Sequence, residues 1–302
     1  MSFDLYFAGM QNKECEHFML KNNLCRLQSQ INDRKNISYW CEQDSHGKLF
    51  IDSGAYTVYT RNIDLDVDEY IKYINSIDEH LTIFAQVDKI PGVHGQPKTK
   101  EQILEAPELS WENYLYMREK VKSPDKLLPI FHRRENWKYL RQMLETTFDG
   151  KHIPYIGLAA TTDSSTKEKE EWFEECFQII SESSNPRVKT HAFGMTSLKL
   201  LEKYPFTSAD STSWIMIGAN GNILTPYGLV TVSNSQSHLK NHISNTAVAE
   251  KMLQKYLQSI GLELELVKTD YKYRMLANLI YLKRWSDNYV YKGSSINRKK
   301  LF

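Results

Sequence analysis

Cysteine is scarce in this chain, and its few cysteines are poorly placed for disulfides or for a metal. The 302 residues contain four cysteines with no CxxC pair and no histidines at zinc-finger spacing; these are Cys15, Cys25, Cys41 and Cys176. This pattern argues against a structural zinc site and favours a protein whose thiols stay reduced. We therefore expect no zinc centre and an intracellular protein.

Long apolar runs and a strong charge of one sign are also lacking. No stretch approaches about 18 apolar residues, so we expect no membrane span. The opening sequence, MSFDLYFAGM, carries an early acid and no basic region before a long apolar stretch, unlike a signal peptide. The cytoplasm is therefore the predicted location. A formal net charge of +1 does not indicate any polyanionic partner.

The chain instead alternates short apolar runs with longer amphipathic stretches. Seven runs are candidate strands: 3–9, 48–54, 81–88, 127–132, 154–159, 188–194 and 206–210. The helical patterns between them lie at 67–77, 110–121, 136–144, 169–180 and 196–204. Parallel strands need covering crossovers, so this alternation predicts an α/β fold with a parallel sheet. Residues 221–233 fit either an eighth strand or a hairpin.

Polar and small residues at the strand ends favour a closed barrel over an open sheet. No GxGxxG or GxxxxGK[ST] motif follows any candidate strand, which removes the usual sign of a nucleotide-binding open sheet. In a barrel, the strand ends would meet at one rim. We predict a (β/α)8 TIM barrel with a C-terminal helical extension, divided into a catalytic domain at 1–235 and a basic, aromatic extension at 236–302.

Two segments outside the strands have unusual compositions. Residues 89–109 contain three prolines and two glycines and are predicted to form a loop that could act as a mobile lid. Residues 271–302 hold eight Lys/Arg and one acid, interleaved with aromatics. That mixture suits a phosphate backbone with exposed bases. The candidate nucleic-acid contacts are Lys283, Arg284, Arg298, Lys299 and Lys300; alternatively, the aromatics pack on the barrel and the lysines remain in solvent.

Two aspartates at strand ends are the best candidates for catalysis. Asp52 ends the second candidate strand and Asp210 ends the seventh. Across a barrel mouth, one carboxylate can attack a sugar carbon while the other moves a proton on the leaving group. The simpler alternative for each is a helix cap or a salt bridge at the rim.

Four short motifs, in order, resemble the tRNA-guanine transglycosylases. IDSGAYTVY is similar to the DSGGF/Y strand end of that family, FAQVDKIPG to its FDECTP-type aspartate, and YIGLAA to its Gly-Gly-Leu-Ala stretch. HAFGMTSLKLLEKYPFTSADSTSW resembles its glycine-containing strand, helix and nucleophile strand. The form AFG…L…DSTSW is closer to the phage-type deazaguanine DNA transglycosylases. The resemblance covers roughly residues 45–215.

This resemblance implies an enzyme, a pentosyltransferase that exchanges guanine in DNA for a free 7-deazaguanine base. Asp210 would be the nucleophile that attacks C1′, and Asp52 the general acid and base. Asp88 would accept hydrogen bonds from the base, a role that suits an acceptor-only carboxylate. No metal or organic cofactor is implied. A phage gene would place the enzyme in the host cytoplasm.

The resemblance also implies a pocket for a flat base. Tyr56 and Met195 would sandwich the ring, although both also suit ordinary core packing. The backbone of Gly157 and Leu158 would contact the substituted side of the base. Small residues beside Asp52 would keep one wall low, and further residues would line the pocket: Ser53, Gly54, His132, His191, Phe193 and Gly194. The two histidines also suit hydrogen-bonded structural residues at the rim.

Several departures from the family pattern leave other functions open. Ala55 replaces a glycine, Thr57 a glutamine, and His132 stands where the tRNA enzymes tend to have glutamine. Their zinc motif of three cysteines and one histidine is absent, because no cysteine follows Cys176. RNA is therefore the second choice of substrate. A glycosidase that releases free base and a non-catalytic nucleic-acid-binding barrel are further alternatives; the oligomeric state is not predicted.

Overall fold

The computed structural model describes residues 3–9, 12–43, 47–160, 164–195 and 197–293. Three of the candidate nucleic-acid contacts, Arg298, Lys299 and Lys300, lie outside the described residues. Within them the fold is α/β, as predicted, and helices flank a parallel sheet. None of the helices in the described part of the chain is both long and apolar enough to cross a membrane.

The strands of the described residues form one large parallel sheet and two small antiparallel pairs. The sheet has nine strands in the order β5-β4-β3-β2-β1-β11-β10-β9-β6, and the pairs are β7–β8 and β12–β13. The strands are β1 (Asp4–Ala8), β2 (Arg26–Ser29), β3 (Leu49–Asp52), β4 (Leu81–Ala85), β5 (Leu127–Leu128), β6 (Ile130–His132), β7 (Thr147–Phe148), β8 (Lys151–His152), β9 (Tyr155–Ala159), β10 (Lys189–Phe193), β11 (Ser208–Ser211), β12 (Asn222–Thr225) and β13 (Gly228–Thr231).

The two ends of the nine-strand order are neighbours in the chain. Only Pro129 separates β5 from β6, and a proline has no N–H to offer to a neighbouring strand. Leu128 on one side of it pairs with Ala85, while Ile130 on the other side pairs with Gly157. This segment therefore joins both edges of the sheet, which curls into a nearly closed, barrel-like structure.

The helices lie mainly between consecutive strands. They are α1 (Lys13–Lys21), α2 (Arg34–Cys41), α3 (Ala55–Arg61), α4 (Val67–Ser76), α5 (Lys100–Lys120), α6 (Trp137–Glu145), α7 (Thr166–Glu182), α8 (Leu198–Lys203), α9 (Ser213–Ala219), α10 (Ala247–Ser259), α11 (Leu264–Thr269) and α12 (Tyr271–Asp287). Thr99 and Gln102 form a capping box at the start of α5. The predicted loop at 89–109 therefore ends at Thr99, and its second half is helical.

Alternation along the strands creates two apolar layers. One set of side chains fills the barrel interior, including Tyr6, Phe50, Ile83, Leu128 and Ile130. The other set packs between the strands and the helices, including Phe7, Phe84, Phe131 and Leu158. Side chains of opposite parity on one strand point to opposite faces, so both layers come from the same strands.

One strand of the large sheet, β2, was missing from the sequence prediction, as was the small pair β7–β8. The two buried residues of β2, Arg26 and Gln28, are polar, so the strand does not show the apolar run expected of a buried strand. The Arg26 guanidinium donates to the carbonyl oxygens of Phe7 and Gly9 and lies over the Trp40 ring. Burial lowers the pKa of Arg26 to about 10. The other candidate for an extra strand, 221–233, forms the antiparallel hairpin β12–β13 outside the large sheet.

The C-terminal helices have a small core of their own. It contains Leu253, Leu257 and Val267, together with Ile223 and Val232 from the hairpin region. The hairpin therefore packs with the C-terminal helices, although the sequence assigned 221–235 to the barrel domain. The long helix α12 belongs to both cores, since its other face packs on the barrel layer.

Candidate functional site

Polar side chains gather at the rim formed by the carboxyl ends of the parallel strands. Asp52 is the last residue of β3, and His132 is the last residue of β6. Asp210 lies in β11, opposite Tyr6 of β1, while Asp52 lies opposite Ser29 of β2. The structure thus brings both candidate catalytic aspartates to one rim, where two intervening strands separate them.

Asp210 is held by one of its two carboxylate oxygens. Oδ1 accepts a hydrogen bond from the backbone N–H of Gly194 at 2.9 Å and another from Nε2 of His191 at 3.1 Å. Oδ2 has no hydrogen-bond partner among the described residues. The side chain is largely buried, with 7% of the residue exposed. The arrangement fixes the carboxylate while it leaves one oxygen free to react.

His191 is part of a hydrogen-bonded chain inside the barrel. Its Nδ1 lies 2.5 Å from the Ser208 hydroxyl, which in turn lies 2.5 Å from the Tyr155 hydroxyl. The imidazole ring meets Phe50 and Phe193 edge-to-face, with ring centroids 4.9 and 4.6 Å away. His191 is 0% exposed, which fits a hydrogen-bonded structural residue and not a group that lines the base pocket. At the rim, the His191 ring contacts the Asp210 carboxylate instead of a ligand.

Asp52 has the properties of a proton donor near neutral pH. Burial is the largest cause that raises its pKa, and the charges of Asp88 and Asp210 raise it further. The N–H of Gly54 donates to Oδ2 at 3.0 Å and acts in the opposite direction. The net result is a pKa of about 7. A carboxyl with this pKa can give up and take back a proton at neutral pH.

The small residues after Asp52 are required by a turn. Gly54 has φ +80°, and a Cβ at this position would lie 2.4 Å from Cγ1 of Ile31. Ser53 is buried, and its carbonyl oxygen accepts a hydrogen bond from Gln30. Tyr56 follows in α3 with 70% of its surface exposed, so the core-packing interpretation is wrong for this residue.

A second charged group at the rim centres on His132. Its Nε2 lies 3.2 Å from Asp88 and its Nδ1 lies 3.2 Å from Glu135. Burial opposes a charge on this ring, but the two carboxylates outweigh it and raise the pKa of His132 well above its ordinary value. The other oxygen of Asp88 accepts from the Gln86 amide at 2.7 Å. Glu135 and Gln86 were both missed in the sequence, although HRRE places an acid three residues after the strand-end histidine.

The predicted contacts of the base with β9 are not open to a ligand. A Cβ on Gly157 would lie 2.5 Å from the Phe193 ring. The absence of a side chain at Gly157 therefore makes room for Phe193 and not for a base. The Gly157 N–H donates to the Pro129 carbonyl oxygen, and Leu158 packs outward against the helices. Met195 is buried in the same outer layer, which fits core packing. Gly194, in contrast, is exposed at the rim.

The last turns of α12 lie at the end of the barrel where β1 begins, opposite the aspartates. Trp285 and Tyr289 pack against Phe3, the residue before β1, as the packing interpretation requires. Within this last part of α12, Lys283 pairs with Asp287, and Arg284 donates to the carbonyl oxygen of Ser259. Lys283 and Arg284 therefore do not join the rim, and their predicted contact with nucleic acid stays a prediction.

No family model matches this chain, and no curated protein matches it. The geometry of the rim and the sequence motifs are therefore the observations that bear on function.

Proposed function

We propose that this protein is a base-exchanging transglycosylase that replaces guanine in DNA with a 7-deazaguanine base. The observation that carries the proposal is the difference between the two rim carboxyls. Asp210 is fixed through one oxygen and presents the other, whereas Asp52 has a pKa raised to about 7. Glycosyl transfer with retention needs this division between a nucleophile and an acid/base.

The reaction proceeds through two displacements at C1′ of the nucleotide. Oδ2 of Asp210 attacks C1′, the bond from C1′ to the guanine breaks, and protonated Asp52 gives its proton to the departing base. The incoming deazapurine then loses a proton to Asp52, and its ring nitrogen attacks C1′ to release the Asp210 carboxylate. Two inversions retain the anomeric configuration. The two side chains carry out every proton and covalent step, so no cofactor is required.

The barrel we propose for this chemistry has eight strands. If β5 and β6 are counted as one strand interrupted at Pro129, the nine strands become eight, the number that a (β/α)8 barrel requires. Enzymes of this architecture place their chemistry at the carboxyl ends of the strands. The position of Asp52, Asp210 and His132 at that rim supports the assignment.

The base would be bound beside Asp52 after it leaves the DNA stack. Extrusion of the nucleotide costs roughly a few kcal/mol, which stacking and hydrogen bonds in the pocket offset. Tyr56 is exposed in the first turn of α3 and offers an aromatic face. Asp88 retains lone pairs for the donor edge of the base, because each of its oxygens accepts only one hydrogen bond among the described residues.

A base-exchange assay tests the proposal directly. The protein is incubated with a guanine-containing duplex and radiolabelled guanine, and label in the purified DNA is counted; bulk tRNA serves as the competing substrate. We expect label in DNA with wild type and none with Asp210→Asn. Label in tRNA alone would move the substrate to RNA, and release of free guanine without incorporation would indicate a glycosidase.

A further inference from the structure

His191 is a buried titratable group to which the mechanism above gives no task. It lies in β10 with no exposed surface, so neither DNA nor a free base can touch it. Its two ring nitrogens are both occupied, one by Asp210 and the other by Ser208. Any contribution it makes to catalysis must therefore pass through Asp210.

The chain of hydrogen bonds assigns the tautomer of this ring. An ionised Asp210 only accepts, so the hydrogen between the two side chains belongs to Nε2 of His191. In a neutral ring Nδ1 is then an acceptor, which takes the hydroxyl hydrogen of Ser208. The Ser208 oxygen can accept in turn from the Tyr155 hydroxyl. Burial raises the pKa of the Tyr155 phenol well above its ordinary value, so it remains a donor.

We propose that His191 is a positioning residue that fixes the rotation of the Asp210 carboxylate, and that Ser208 and Tyr155 lock it in the Nε2–H tautomer. This inference rests on the function proposed above. With Oδ1 held by His191 and by the Gly194 N–H, Oδ2 is the oxygen that meets C1′.

The surroundings of the ring support a fixed geometry. Phe50 and Phe193 contact the imidazole edge-to-face in the barrel interior, and the Tyr6 ring lies edge-to-face with its centroid 5.9 Å away. The ring therefore has little freedom to tilt. Without the imidazole, Gly194 alone would hold Oδ1, and the carboxylate could rotate about its last bond. A misplaced nucleophile slows attack even when substrate binding is unchanged.

Two substitutions at this position separate positioning from packing. His191→Leu keeps the apolar contacts but removes the donor, whereas His191→Gln keeps an N–H that can reach Asp210. In single turnover at saturating DNA, we expect His191→Leu to form the Asp210 ester about 100-fold more slowly and His191→Gln to recover to within about 10-fold of wild type. DNA affinity should be equal in all three proteins.

His242→Leu is the matched control. His242 is also buried, and its Nδ1 also meets a serine hydroxyl, that of Ser244 at 2.7 Å, but it lies in the C-terminal unit. This variant should form the ester at the rate of the wild type. If His191→Leu forms the ester as fast as His242→Leu, His191 does not position the nucleophile.

A measurement without turnover tests the tautomer independently. In protein carrying 15N-labelled histidine, NMR at pH 8 should show His191 with Nε2 protonated and Nδ1 bare, and Ser208→Ala should give a mixture of tautomers. A ring protonated at Nδ1 in the wild type would overturn the inference. If the tautomer is as expected but wild type forms no ester, then the proposed function has failed and not the hydrogen-bond assignment.

Discussion

Asp210 and Asp52 lie on strands separated by two others, yet the charge of Asp210 is among the causes that raise the pKa of Asp52 to about 7. The two carboxyls thus share one electrostatic environment at the rim. One keeps its proton near neutral pH, because burial and its acidic neighbours disfavour a second negative charge there. In the proposed mechanism, this coupling underlies the division of labour between nucleophile and acid.

The coupling predicts that the titration midpoint of Asp52 changes when the charge of Asp210 is removed. In 13C-labelled wild type, the Asp52 carboxyl should titrate with a midpoint near pH 7, as its raised pKa requires. Asp210→Asn should move the midpoint down, because a negative neighbour has gone. Asp125→Asn is the control, since Asp125 is exposed and pairs with Arg118. An unchanged midpoint in Asp210→Asn would show that the two carboxyls are not coupled.

The raised pKa also predicts a stability change in Asp52→Asn. Between its ordinary pKa of 3.8 and the folded value of about 7, the folded protein binds the proton more tightly than the unfolded chain. Stability therefore falls as the pH rises through this window. This change in pKa corresponds to about 4 kcal/mol, and the partial exposure of Asp52 reduces the effect to about 2 kcal/mol.

We therefore expect Asp52→Asn to raise the free energy of unfolding at pH 8 by about 2 kcal/mol and to leave it unchanged below pH 4. Asn can still accept the Gly54 N–H, so the turn is retained. Urea denaturation at the two pH values measures the difference. The same variant should lose base exchange. A variant less stable than wild type at pH 8 would contradict the burial of a charged Asp52.

The contact between Gly157 and Phe193 predicts a steric effect that a second substitution relieves. Gly157→Ala places a methyl group 2.5 Å from the ring and should destabilise the fold by about 2 kcal/mol. In Phe193→Leu, the same Gly157→Ala change should cost much less. Thermal or urea denaturation of both single variants and the double variant gives the coupling energy. Additive effects would mean that the two residues do not meet.

The position of the last turns of α12 predicts that two cations there, Lys283 and Arg284, are not needed for DNA binding. Lys283 and Arg284 lie near Phe3, at the end of the barrel opposite the aspartates. The double substitution Lys283→Ala, Arg284→Ala should change DNA affinity by less than about 2-fold, as expected for residues that neutralise no phosphate. Fluorescence anisotropy at two salt concentrations measures this. A tenfold loss with a weaker salt dependence would place DNA on that end.

Much of the barrel could be predicted from the sequence, because its strands are short apolar runs. All seven candidate strands overlap observed strands; 3–9, for example, contains Asp4–Ala8. The exception, Arg26–Ser29, was hidden because its buried Arg26 and Gln28 break the apolar pattern. A buried arginine bonded to carbonyl oxygens of another strand depends on distant residues, and no local pattern indicates it.

The composition of the rim could also be predicted from the strand ends, but the contacts between its side chains could not. Asp52, His132 and Asp210 end or nearly end strands, and parallel strands bring their carboxyl ends together. The burial of His191 depends on Ser208 and Tyr155, which come from neighbouring strands. The direction of α12 likewise decides which end of the barrel Lys283 occupies, and composition alone does not determine it.

The covalent intermediate is the central claim, and trapping it is the most direct test. The protein is mixed with a guanine-containing oligonucleotide, released guanine is removed, and the mixture is denatured and analysed by intact mass and peptide mapping. We predict an adduct of protein and DNA that survives denaturation, carries the DNA strand without one guanine, and maps to Asp210. Adduct formation with Asp210→Asn, or its absence from wild type under conditions of base exchange, would contradict the mechanism.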